Sequence, residues 1–132
     1  MIGLDTNILV RYFAQDDAKQ SAIATEILEN RLSDHNQGYV STPVLVETAW
    51  TLQRVYKVAK VGLYVILEKL LTTSELSFEY RDEAWKALQL AKDENVDFAD
   101  ALIGSIHKAH GCTVTLTFDH GAAKIDLFEL QA

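Results

Sequence analysis

The sequence holds one cysteine in its 132 residues, Cys112. No internal disulfide can form, which excludes the disulfide-stapled secreted scaffolds and agrees with a reducing compartment. The thiol is expected to act as a small buried apolar group. There is one proline, Pro43, and neither a low-complexity stretch nor an internal repeat, so nothing marks a linker between domains. No run reaches the about 18 uncharged apolar residues of a membrane span. The first residues lack the basic start and small-residue cleavage site of a signal peptide. A cytoplasmic protein without a membrane partner is the expectation. Positive charge is scarce too: 12 Lys and Arg stand against 19 Asp and Glu, for a net charge of −7. That balance argues at first sight against a nucleic-acid partner, but an acidic total can hide a phosphate site if carboxylates hold a cation.

What is present is ample apolar material, 48% of the residues, enough for one domain over 1–132. Residues 1–5 and "GYVST" (38–42) read as short strands that lead into helices. In "DDAKQSAIATEILENRL", Ala22, Ile23, Ile27 and Leu28 fall at helical spacing as the buried face. "PVLVETAWTLQRVYK" begins with Pro43, suited to a first helical turn, and "KVGLYVILEKLLTT" is a second amphipathic helix after a break near residues 58–60. "LSFE" (76–79) reads as a strand and "YRDEAWKALQLAKDEN" as a helix. "DFADALIGSIHKAHG" is a helix ended by Gly111, "TVTLTF" a strand and "LFELQA" an edge strand. Strands alternating with helices imply an α/β fold, a central mostly parallel sheet flanked by helices. Functional groups in such folds collect beyond the carboxyl ends of the strands.

Asp5 and Asp119 fall at such strand ends. Glu47 interrupts the apolar run Val44, Leu45, Val46, Ala49 and Trp50, and Asp100 interrupts "FADALIGSI" in the same way. A carboxylate among core residues needs a partner. Each acid taken singly has a structural role open to it. Asp5 can cap the helix that starts at Thr6, Asp97 and Asp100 resemble a capping box, Glu47 can pair with Arg11 or Arg54, and "DHG" at 119–121 suits an Asx turn. Four acids at one rim are another matter. Like charges about 4 Å apart repel by about 4 kcal/mol per pair at an effective dielectric near 20, so the cluster needs protons or a cation. Oxygen ligands alone favour a hard ion, Mg²⁺ or Mn²⁺.

"LDTNILV", "TPVLVETAW", "DFADALIG" and "TLTFD", in this order, resemble the four acidic motifs of the PIN-domain nucleases, most closely the VapC ribonuclease toxins of type II toxin–antitoxin pairs. The resemblance implies a PIN-like three-layer sandwich and an endoribonuclease in which one or two Mg²⁺ (or Mn²⁺) ions assist water in cleaving RNA to 5′-phosphate and 3′-hydroxyl ends. It puts the metal-binding and catalytic acids at Asp5, Glu47, Asp100 and Asp119. Thr6, Asn7, Asp97 and Thr117 become residues that orient them. It also implies a homodimer and a VapB-type antitoxin as partner, with the apolar surface of the helix pair at 43–72 as contact.

Arg54, Lys57 and Lys60 form the densest basic run and are candidate RNA contacts, Arg54 and Lys57 on one helix face. The same three would make an ordinary solvated face. Tyr56 and Tyr64 can stack bases or join the core. His107 and His110 lie near a helix end, where they complement the dipole, and neither is taken as a metal ligand. A phosphoaspartyl enzyme, a noncatalytic acidic binding module, and a PIN nuclease of RNA processing or DNA metabolism stand as alternatives. The first usually has a second acid two residues after the nucleophile, where this chain has Asn7.

Overall fold

A computed structural model describes all residues 1–132. Five short strands alternate with six helices: β1 (Ile2–Gly3), α1 (Thr6–Ala14), α2 (Ala18–Glu26), β2 (Gly38–Val40), α3 (Thr42–Arg54), α4 (Lys60–Leu71), β3 (Leu76–Phe78), α5 (Arg81–Glu94), α6 (Phe98–Ala109), β4 (Thr115–Thr117) and β5 (Phe128–Leu130). Every strand pairing is parallel, as expected where strands are joined by helical crossovers. Contacts divide the chain into two compact units, Met1–Glu79 and Tyr80–Ala132.

The first unit holds a sheet in the order β1-β2-β3, with Ile2 opposite Gly38 and Val40 opposite Phe78. Here α1 packs on α2 and α3, and α3 packs on α4. The core is leucine-rich: Leu9, Leu45, Leu52, Leu63, Leu67 and Leu71 are fully buried. Asp17 caps α2, its side chain accepting from the Gln20 N–H at 2.8 Å, and Pro43 sits in the first turn of α3 as its fixed φ favours.

In the second unit α5 packs against α6, and β4 pairs with β5, Thr115 opposite Phe128. The facing residues Ala84, Ala87, Ala91 and Ala101 are fully buried, small enough to bring the helix axes close around Leu88 and Leu102. Gly104 permits a similar approach. A Cβ there would stand 2.8 Å from Phe128 Cε2 and 3.0 Å from Leu127 Cβ. Gly111, at φ +90°, ends α6 as the sequence indicates.

The α/β class with parallel strands flanked by helices is as the sequence indicates, the strands forming a three-stranded and a two-stranded ladder. Three other expectations need correction. On α2 the buried residues are Ser21 and Ala24, while Ile23 is 50% exposed. Ser21 can turn inward because its hydroxyl donates to the Arg11 carbonyl at 2.9 Å, satisfying both groups at the end of α1. Cys112 is exposed, since it follows Gly111 beyond the end of α6. Arg54 and Lys57 do not share a helix face: α3 ends at Arg54, and Lys57 turns left-handed at φ +57°.

Candidate active site

The first unit presents two of the expected acids on one pocket, about 390 Å³ in volume, lined among others by Asp5, Thr6, Asn7, Arg11, Glu47 and Trp50. Asp5 follows β1 and precedes α1. Its Oδ1 accepts from the Thr6 N–H at 2.7 Å, the very next residue. A cap normally takes an N–H two or three positions further on, as Asp17 does. Asp5 therefore serves the helix through one oxygen and a local bond, and its other oxygen stays open to the pocket.

Glu47 reaches the same pocket from α3. The residues that α3 buries are Leu45, Thr48, Ala49 and Leu52, which leaves Glu47 exposed and Trp50 54% exposed. The apolar neighbours of Glu47 in sequence thus include residues on its own outward side, and the carboxylate needs no buried partner. Arg11 does not pair with it. That guanidinium engages Asp16 at 3.0 Å, Gln20 and Tyr56. Beside Asp5, the Thr6 hydroxyl is buried without a hydrogen-bond partner. A group in that condition costs about 1–3 kcal/mol.

The second unit holds the other two. Asp97 caps α6, its Oδ1 accepting from the N–H groups of Ala99 at 2.9 Å and Asp100 at 3.3 Å. Asp100 lies in the first turn, half-buried. Burial pushes its carboxyl above the usual range, and the charges of Asp97 and Asp119 add to the effect. Asp119 follows β4. Its N–H donates to Thr117 Oγ1 at 3.0 Å, and its Oδ1 accepts from Gly121 at 2.7 Å and Ala122 at 3.4 Å. Thr117 Oγ1 thus accepts from the Asp119 backbone, and the Asx turn engages one carboxylate oxygen of Asp119.

Within neither unit do three or more His, Cys, Asp or Glu side chains gather closely enough to hold a metal ion by themselves. The donors nonetheless fit a hard cation. All are carboxylate oxygens, and the Asp100 carboxyl is raised chiefly by burial, with the nearby charges of Asp97 and Asp119 adding to it. Two of the four histidines are engaged elsewhere: His107 Nδ1 lies 2.9 Å from Thr115 Oγ1, and His110 Nε2 lies 2.8 Å from the Tyr80 hydroxyl.

Arg54, Lys57 and Lys60 are all exposed, at the end of α3, in the turn after it and at the start of α4. Arg11 and Trp50 line the acidic pocket, although the pattern of the sequence marked neither for it. The available signal was spacing. Arg11 stands four residues after Asn7 on α1, and Trp50 three after Glu47 on α3, each one turn along the same helix face.

A comparison with curated proteins gives no match. The PIN domain family model, by contrast, matches residues 2–127. That match takes in all four acids and both units, and the chain accordingly belongs to the PIN-domain family, a family of generally metal-dependent nucleases.

Proposed function

We propose that the chain is a Mg²⁺-dependent endoribonuclease of VapC type, the toxin of a type II toxin–antitoxin pair, working in the cytoplasm. The observation that carries this reading is the pairing of Asp5 and Glu47 on one open pocket, each with oxygen uncommitted to the fold. Asp5, Glu47, Asp100 and Asp119 would hold one or two Mg²⁺ or Mn²⁺ ions. When bound, such an ion neutralises charge developing on the phosphate oxygens and lowers the pKa of the attacking water. The chain's own part is positioning. α1 and the Asx turn after β4 fix one oxygen each of Asp5 and Asp119, and Thr117 holds the Asp119 backbone. The Thr6 N–H holds the helix-side oxygen of Asp5 and Asn7 lines the same pocket, these being the two residues that orient it; Asp97 steadies the turn that carries Asp100, and Arg54, Lys57 and Lys60 contact RNA. No side-chain nucleophile is required. Val55, Val61 and Val65, between 57% and 74% exposed at the end of α3 and on α4, offer apolar surface for a second copy and for a VapB-type antitoxin.

The purified chain should cut single-stranded RNA when Mg²⁺ or Mn²⁺ is supplied, leave 5′-phosphates and stop on addition of EDTA. Cleavage persisting in EDTA would overturn the metal mechanism. Growth arrest on expression, relieved by the product of a short adjacent gene, separates a toxin from a processing nuclease.

A further inference from the structure

The wall of the Asp5–Glu47 pocket carries a cation whose setting is unlike that of an ordinary surface arginine. Arg11 Nε donates to Gln20 Oε1 at 2.8 Å. Its Nη1 donates to both Asp16 oxygens, at 3.0 and 3.1 Å, and to the Tyr56 hydroxyl at 2.8 Å. Tyr56 in turn donates to Asp16 at 2.6 Å. Three side chains, from α2, the turn before it and the segment after α3, thus hold the guanidinium at Nε and at Nη1. The remaining amine, Nη2, keeps two N–H donors with no partner in the protein. A guanidinium held at two nitrogens with the third unpaired has already lost the rotamer freedom that anion binding would cost.

Trp50 lines the same pocket, one turn after Glu47 on α3. Leu45 and Leu52 of the same helix are fully buried, yet the indole is 54% exposed on the pocket wall. Exposed aromatic faces beside a cation are what bind unpaired bases, since every base offers a π-face for stacking.

We propose that Arg11 grips a backbone phosphate through Nη2 and that Trp50 stacks an unpaired base of the same strand, so that the pocket takes single-stranded nucleic acid and sets its register against Asp5 and Glu47. The assignment rests on the nuclease reading above and names the grip that reading needs. A base held in a duplex cannot reach the indole, so duplex is rejected by the same geometry.

The probe is a single-stranded 2′-O-methyl phosphorothioate RNA oligonucleotide, which resists cleavage, titrated into the full chain in Mg²⁺ while anisotropy and tryptophan emission are followed. Binding should quench emission. The quench should vanish in Trp50→Phe and persist in Trp85→Phe, which changes the chain's other tryptophan, in α5. Trp50→Ala should weaken binding roughly tenfold. Arg11→Gln should weaken it roughly tenfold and flatten the slope of log K against log salt by about 0.7, the share of one phosphate contact. In cleavage assays on ordinary RNA the loss should appear in KM more than in kcat. Were Arg11 merely a clamp between α1, α2 and Tyr56, Arg11→Gln would lower the melting temperature with the salt slope intact, and that result overturns the proposal. So does a quench that survives in Trp50→Phe, or duplex bound as tightly as single strand. A wild-type chain that cleaves RNA while these variants behave normally defeats the proposal alone. A wild-type chain that neither binds nor cleaves any oligonucleotide defeats the nuclease reading, and this assignment with it.

Discussion

At Asp5 one side chain faces two demands, and an isosteric change separates them. Asparagine caps a helix about as well as aspartate, so Asp5→Asn keeps the 2.7 Å bond to the Thr6 N–H and deletes a charge. A residue that only caps would leave every assay near wild type. The expected outcome is loss of nearly all RNA cleavage, with the metal-free protein melting at the same or a higher temperature because repulsion at the site is eased. Asp97 supplies the contrast. It caps with two N–H groups of α6, so thermal melts of Asp97→Ala should show a loss of about 1 kcal/mol, while Asp97→Asn retains both fold and cleavage. The capping of α6 and the Asx turn at Asp119 were both legible in the sequence, because such bonds form between neighbours in the chain. The environment of Glu47 was not. Whether an apolar neighbour faces inward or outward depends on what packs against α3.

Among the elements, α1, α2 and the end of α3 are tied by Arg11, Asp16 and Tyr56. The hydrogen bond from the Tyr56 hydroxyl, with a further contribution from the Arg11 charge, holds the Asp16 carboxyl below its usual range, against a smaller upward push from burial. A depressed carboxylate stabilises the fold above the unfolded pKa, near 4, and that contribution is lost as pH falls through the lower folded value. Asp16→Asn should therefore flatten the fall in melting temperature on acidification below about pH 4. An unchanged acid profile would show that the tie does not couple to folding. On α6 the close approach at Gly104 gives a second expectation. Gly104→Ala places a methyl 2.8 Å from Phe128 and 3.0 Å from the Leu127 Cβ, and should cost about 1–3 kcal/mol in denaturant melts through overpacking. A neutral result would mean that β5 yields easily. At this scale the helices are readable from their periodicity, yet α2 buries Ser21 and Ala24 in place of the apolar stripe with Ile23. The Ser21 hydroxyl can turn inward because a carbonyl at the end of α1 satisfies it.

For the molecule as a whole, the proposed role of the acids in holding a cation implies stabilisation by ligation. A hundredfold excess of Mn²⁺ over its dissociation constant should add about 2.7 kcal/mol and raise the melting temperature. A melt indifferent to millimolar Mn²⁺ would count heavily against metal binding. Sedimentation at tens of micromolar should give a dimer, and monomer alone would remove Val61 and Val65 from any self-association. The sequence by itself determined the alternation of strands and helices, the parallel pairing it entails, and the placing of acids after β1 and β4, in α3 and in the first turn of α6. Those features follow from local propensity, periodicity and short-range hydrogen bonds, which neighbouring residues settle among themselves. Tertiary structure alone decided that Trp50 would stand exposed, that Arg11 would bond Asp16 and Tyr56 instead of Glu47, and that Ser21 would turn inward. Each of these depends on groups distant in sequence. The Arg11–Tyr56 bond spans 45 positions, and only packing of one helix on another determines which donor meets which acceptor and which apolar face remains in water.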